Sequence, residues 1–245
     1  MRLRERGLWV YEHLPSGGRL LDVGCHACAD TVLWADRAAA LFGADVDPAL
    51  ADGPPEVRKV FASAGTLPFR SASFDVVTFV EVLEHLPTHL ERLALEEIRR
   101  VLRPDGLLLL TTPHKGWFAW LDPMDTKRRL RLQHGKGHKH YSMDEIRALL
   151  DGLFEIELVH RSSLILHPIS TWLGIGNRNR WPTLRAALSD WDYRHRFGPA
   201  SFNLALVGRP VRSIVDGGRQ GMARNGSGVH GRHRVASRSA PDWRS

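Results

Sequence analysis

Leu20-Leu21-Asp22-Val23-Gly24-Cys25-His26-Ala27-Cys28, followed by Gly43-Ala44-Asp45-Val46-Asp47, decides the fold of this chain. Arg19 to Val23 is a short apolar strand, Gly24 breaks it, and Ala29 to Leu41 has helical character through Val32, Leu33, Ala35, Ala39 and Ala40. A second strand, Phe42 to Val46, then delivers Asp45. Asp45 follows Gly24 by about 20 residues, the separation at which a carboxylate ending the second strand of a doubly wound sheet meets a ribose hydroxyl.

The turn also narrows the ligand. A dinucleotide fingerprint needs glycine at its second position so that backbone can close on a pyrophosphate, and here His26 stands there with Ala29 at the third. A nucleoside cofactor without phosphates, such as S-adenosylmethionine, makes weaker demands on the turn and still uses the ribose carboxylate.

Further blocks follow in order: Leu67-Pro68-Phe69, Ser73-Phe74-Asp75-Val76-Val77-Thr78, Glu81-Val82-Leu83-Glu84-His85-Leu86, and Glu97-Ile98-Arg99-Arg100-Val101-Leu102-Arg103-Pro104-Asp105-Gly106 before an apolar strand. Together with the first two blocks, from about Leu20 to Thr112, they resemble the class I S-adenosylmethionine-dependent methyltransferases, and among them the type 11 family. The resemblance implies an α/β fold: a Rossmann-like seven-stranded, mostly parallel sheet with the last strand antiparallel and helices on both faces. It implies S-adenosyl-L-methionine as cofactor, bound by Asp22, Gly24, Cys25, Asp45, Val46, Ser63, Ala64 and Glu81, with Asp22 toward the methionine amino group and Ser63 and Ala64 near adenine. The chain departs from the family at His26-Ala27-Cys28, where the loop usually continues with glycines, and at Ser63, usually an aspartate.

Strand and helix signals extend the pattern. Arg2 to Leu14 reads as a helix ended by Pro15-Ser16-Gly17-Gly18, Val57 to Ala62 as a third strand and Phe74 to Val80 as a fourth, near-continuously apolar as a strand buried on both faces should be. Thr88 with Glu91, and Ser142 with Glu145, read as capping boxes opening helices. Leu107 to Thr111 is the fifth strand after a Pro104-Asp105-Gly106 turn, Phe154 to Val159 the sixth, and Phe202 to Val207 a last, antiparallel one beside the sixth. Strands alternating with helices imply right-handed parallel crossovers.

Residues 1–210 read as one methyltransferase domain, in which 113–141 and 161–199, carrying tryptophans, Lys127-Arg128-Arg129 and the His134 to His140 run, are lid and acceptor-binding segments. The net charge of +7 is concentrated beyond residue 210, where seven arginines face Asp216 and Asp242. Residues 211–245, rich in Gly, Ser and Arg, read as a disordered basic tail, and no RNA-recognition motif accompanies it. No apolar run is long enough to span a bilayer and the N-terminus lacks an apolar signal-peptide core, so the expected location is cytoplasmic.

Methyl transfer from a sulfonium is an in-line displacement in which alignment does most of the work, and a general base helps with a hydroxyl or protonated amine acceptor. Glu81, His85 four residues on along a helix face, and His114 after the fifth strand are the candidate catalytic residues. Cys25-His26-Ala27-Cys28 is a C-x-x-C at a helix start, open to a redox-dithiol reading, with structural thiols as the default, and no metal site of standard spacing is present. The expected activity is methylation of O or N on a small-molecule, glycan or lipid-precursor acceptor. The alternatives are a non-catalytic cofactor-binding scaffold and an RNA methyltransferase using the basic tail.

Overall fold

In the computed structural model the described residues are 5–117, 139–162, 191 and 200–211. The expected basic tail and most of both lid segments lie outside them. Seven strands form one sheet in the order β3-β2-β1-β4-β5-β7-β6. They are β1 Arg19–Val23, β2 Ala40–Asp45, β3 Val57–Phe61, β4 Phe74–Val80, β5 Leu102–Pro113, β6 Phe154–Ser162 and β7 Asn203–Pro210. β7 is inserted between β5 and β6, antiparallel to both, and the pairs among β1 to β5 are parallel. The reversed strand therefore lies beside the sixth as expected.

Alternation along the buried strands supplies two cores. Leu21, Val23, Val77, Phe79, Leu108 and Leu110 face one side, where Ala94, Leu95, Ile98 and Val101 of helix α2 (Thr88–Val101) and Ile146 and Leu150 of helix α3 (Met143–Leu150) cover them. Leu20, Val76, Leu107 and Leu109 face the other, beneath Trp9 and Val10 of helix α1 (Glu5–His13). Two-sided burial is why these strands read as continuous apolar runs rather than alternating ones.

The helix expected over Ala29 to Leu41 does not form. One 3-10 turn, Thr31–Trp34, takes its place, and β2 begins at Ala40. Length explains it: returning along the five residues of β1, about 17 Å, would consume about eleven residues at 1.5 Å each. That is all of residues 29–39, with none left for turns. Trp34, fully buried, donates Nε1–H to the Gly7 carbonyl (3.2 Å) and so ties the turn to α1.

Thr88 does not cap α2. The N-cap is Pro87, Thr88 accepts from Lys139 Nζ (3.1 Å), and Glu91 pairs with the same ammonium. The long-range cation outcompetes the local box because Glu91 is almost wholly buried and a buried carboxylate needs a charged partner. The Ser142–Glu145 box forms in full. β5 begins earlier than expected, with Leu102 paired to Phe74, and Arg103 to Gly106 bulge out before pairing resumes at Leu107 with Val76. Asp75 anchors that bulge, accepting from the Arg19 amide (2.7 Å) and pairing with Arg103.

Ser142→Ala should cost about 1 kcal/mol, lowering the urea midpoint at unchanged slope. Thr88→Ala, which removes no cap, should cost less than half as much in the same titration.

Candidate functional site

The carboxyl ends of β1, β2, β4 and β5 lie along one edge of the sheet, the edge at which open α/β sheets bind ligands. The turn after β1 is folded as a glycine-rich loop would be, although it is poor in glycine. Gly24 (φ 77°), His26 (φ 49°) and Cys28 (φ 55°) are all left-handed. At Gly24 no side chain fits, because a Cβ would stand 2.3 Å from Val82 Cγ2. His26 and Cys28 carry the strain of that conformation, about 1–2 kcal/mol each for a residue with a Cβ, and hydrogen bonds hold them in it. The Gly24 amide donates to the Ala44 carbonyl (2.7 Å), the His26 amide to Asp45 Oδ2 (2.6 Å) and the Cys28 amide to the Cys25 carbonyl (2.8 Å).

Asp45 therefore sits at the hub of the loop. Its Oδ1 also accepts from the Asp47 amide (2.9 Å), and Asp47 Oδ1 in turn accepts from the Ala49 amide (2.8 Å). Each carboxylate oxygen keeps a second lone pair for another donor. Val46 beside it is 69% exposed, an apolar side chain turned to solvent at the strand end. Ser63 lies beyond β3, its Oγ accepting from the Gly65 amide (3.3 Å), next to buried Ala64.

Asp22 is buried in β1, beside the central strand β4. Thr31 Oγ1 donates to its Oδ2 (2.5 Å) and Thr78 Oγ1 to its Oδ1 (2.7 Å), but burial outweighs both bonds and pushes its carboxyl up to about 7.

Glu81 and His85 do not share a helix face. Glu81 is itself left-handed (φ 57°), and the segment after it is a short 3-10 turn, Leu83–His85, so the four-residue helical spacing does not apply. The β4 end turns sharply here because the Glu81 amide donates to the Thr111 carbonyl (3.0 Å). Its carboxylate accepts from Thr111 Oγ1 (2.9 Å) and pairs with Arg6 of α1 (3.0 Å). His85 is exposed. Glu84 is buried instead, accepting from Thr112 Oγ1 (3.2 Å) through Oε2, while Oε1 has no hydrogen-bond partner among the described residues. Burial, with Glu81 nearby, raises its carboxyl well above the ordinary range.

His114 is buried at the end of β5. Its Nδ1 lies 3.1 Å from the Ser201 carbonyl and 2.9 Å from Ser201 Oγ. A carbonyl only accepts, so Nδ1 carries the proton and Nε2 is the lone-pair nitrogen. Burial lowers its pKa, which keeps the ring neutral.

The sequence singles out Asp22, Glu81 and His114 but not the groups that hold them: Thr31 and Thr78 on Asp22, Thr111 and Arg6 on Glu81, and Ser201 on His114. Only the register of β1 against β4, which sets Asp22 beside Thr78, could have signalled one of these.

Residues 21–110 match the family model described as a methyltransferase domain. A probable S-adenosylmethionine-dependent methyltransferase of Mycolicibacterium smegmatis is 32% identical over 130 residues, 48% of this chain and 50% of that protein. A demethylmenaquinone methyltransferase of Mycobacterium sp. is 36% identical over 110 residues, 43% of this chain and 47% of its own length. The chain thus spans about half the length of these curated relatives. Among solved structures, the Burkholderia thailandensis 1,6-didemethyltoxoflavin-N1-methyltransferase, crystallised with S-adenosylhomocysteine, superposes with a TM-score of 0.56 at 16% identity. That match covers 85% of this chain and 78% of that one. The likeness to methyltransferases is thus carried by the segment around residues 21–110.

The Asp22 pKa has a measurable consequence. The folded chain keeps a proton on Asp22 up to about 7, whereas the unfolded carboxyl releases it near 4 (about 3.9). The folded state holds the extra proton between those values, so stability should fall as pH rises through the window and level off above it. Asp22→Asn should flatten that slope in urea unfolding measured across the window.

Proposed function

We propose that the chain is an S-adenosylmethionine-dependent methyltransferase acting on O or N of a small-molecule, glycan or lipid-precursor acceptor. The observation that carries this reading is the turn from Gly24 to Cys28. It keeps three left-handed residues and an amide on Asp45 although two of the three are not glycine. A degenerate loop in a non-catalytic relative has no reason to hold that strained shape. The basic tail, on which RNA methylation would depend, lies outside the described residues.

The residues fit the cofactor by their chemistry. Asp45 has lone pairs left for ribose hydroxyls, exposed Val46 offers an apolar surface to a base, and Ser63 and Ala64 flank the adenine position. Asp22, close to neutral as folded, gains from a nearby ammonium that stabilises its ionised form. When bound, the cofactor supplies a methyl group on a positive sulfur. Glu81, held on two sides by Thr111 and Arg6, presents a fixed carboxylate at the β4 end. His114 is the general base of this proposal. Its ring is oriented by Ser201 through Nδ1, and neutral Nε2 is the nitrogen that takes a proton from an acceptor hydroxyl or ammonium as the acceptor atom attacks. His85, exposed on its turn, serves at the rim of the acceptor side.

Calorimetric titration with S-adenosylmethionine and S-adenosylhomocysteine should give micromolar binding that is lost in Asp45→Ala. No heat from the folded wild type would refute the proposal. Affinity should also rise about tenfold per pH unit on approach to pH 7, where Asp22 ionises to meet the ligand ammonium, and then plateau. Asp22→Asn should bind more weakly and without that dependence.

A further inference from the structure

Beneath the Gly24–Cys28 turn the two cysteines of the chain meet. Their sulfurs are 3.0 Å apart, both thiols are free, and the turn that joins them is closed by the Cys28 amide on the Cys25 carbonyl (2.8 Å). The space for this pair is built into the neighbouring strand. A Cβ on Gly43 of β2 would stand 2.5 Å from Cys28 Sγ and 2.8 Å from Cys25 Sγ, so any larger residue there would push the sulfurs away. Cys28 is wholly buried, whereas Cys25 is partly exposed and open to a reagent from solvent. The arrangement joins an accessible sulfur, a sheltered one in contact with it, and a strand glycine that makes room for both.

We propose that Cys25 and Cys28 are a reversible dithiol–disulfide pair, and that the disulfide locks the cofactor-binding turn in its left-handed shape. The inference rests on the cofactor site proposed above and assigns that site a redox control. Ring closure needs the sulfurs to move from 3.0 Å to about 2.05 Å, a small adjustment of two side chains. With a low-molecular-weight disulfide as oxidant the chemistry balances. Cys25 thiolate attacks one sulfur of the reagent, forming a mixed disulfide and releasing one thiolate. Cys28 then attacks Cys25 Sγ and releases the second. The two cysteine protons pass to the two leaving thiolates, and the two electrons lost by the cysteines reduce the reagent. Exposure sets this order: Cys25 alone is open to the reagent, and Cys28, whose thiol the shared hydrogen bond lowers, is the buried sulfur in contact with it that attacks second.

The ring encloses His26 and ends at Cys28, the two residues of this turn that hold glycine-like backbone without being glycine. In the dithiol form hydrogen bonds alone hold them in that shape, and each chain that relaxes toward ordinary φ loses a competent turn. In the disulfide form that relaxation is blocked, so the oxidised chain binds the cofactor more tightly.

The test treats the full chain with glutathione disulfide or with dithiothreitol and reads mass and S-adenosylhomocysteine affinity in each state. The expected result is a loss of two hydrogens, reversed by dithiothreitol, with about tenfold tighter binding in the oxidised form. In Cys25→Ser the affinity should not respond to the oxidant. A chain that stops at the glutathione mixed disulfide, or one whose oxidised form binds no more tightly, overturns the proposal. Absence of binding in both states overturns the control by removing the site, and the mass measurement, which needs no ligand, tells that failure apart from failure of the dithiol.

Discussion

The buried carboxyl of Asp22 holds the site together. It lies in β1, where Thr78 of the central strand β4 reaches it from one side and Thr31, just past the β1 turn, from the other. One side chain thus joins the sheet register to the path of the loop. Without an acceptor at this depth the buried Thr31 hydroxyl would lose its carboxylate partner, at about 1–3 kcal/mol, and Thr78 would keep only the longer contact to the Leu21 carbonyl (3.5 Å). Because desolvation leaves the group nearly neutral, the arrangement works as a hydrogen-bonded acid in the folded chain and becomes a charge only when a cation approaches.

Around that point the loop trades intrinsic preference for tertiary bonding. Left-handed φ at His26, Cys28 and Glu81 opposes local propensity at three places along one sheet edge. Each is held by a backbone amide on a fixed acceptor: His26 on Asp45, Cys28 on Cys25 and Glu81 on Thr111. Strain of this kind persists only where surrounding structure over-determines it, and it collects at binding sites.

What was legible in the sequence follows from the range of the forces. Strands and their order were readable because two-sided burial writes continuous apolar runs, and the Ser142 box because a capping box is a local event. The helix after β1 was misread because apolar periodicity in Val32 to Ala40 says nothing of how far the chain must travel to start β2. The box at Thr88 was misread because Lys139, 51 residues away, takes both of its members. The same limit explains the site. Asp45 announced itself by spacing from Gly24, but Arg6 lies 75 residues from Glu81, and no local pattern records that pair.

That pair changes what α1 is for. The helix covers the face left thin by the short 3-10 turn, held by Trp34 on the Gly7 carbonyl and by Trp9 and Val10 in the core. From that position Arg6 reaches over the strand ends to Glu81 (3.0 Å) and Asn203 (3.3 Å), joining β4 to the reversed strand β7. The shortened crossover and the cationic N-terminal helix are therefore linked: Trp34 of the one fixes the backbone of the other next to Arg6, and Arg6 carries a charge to the end of β4.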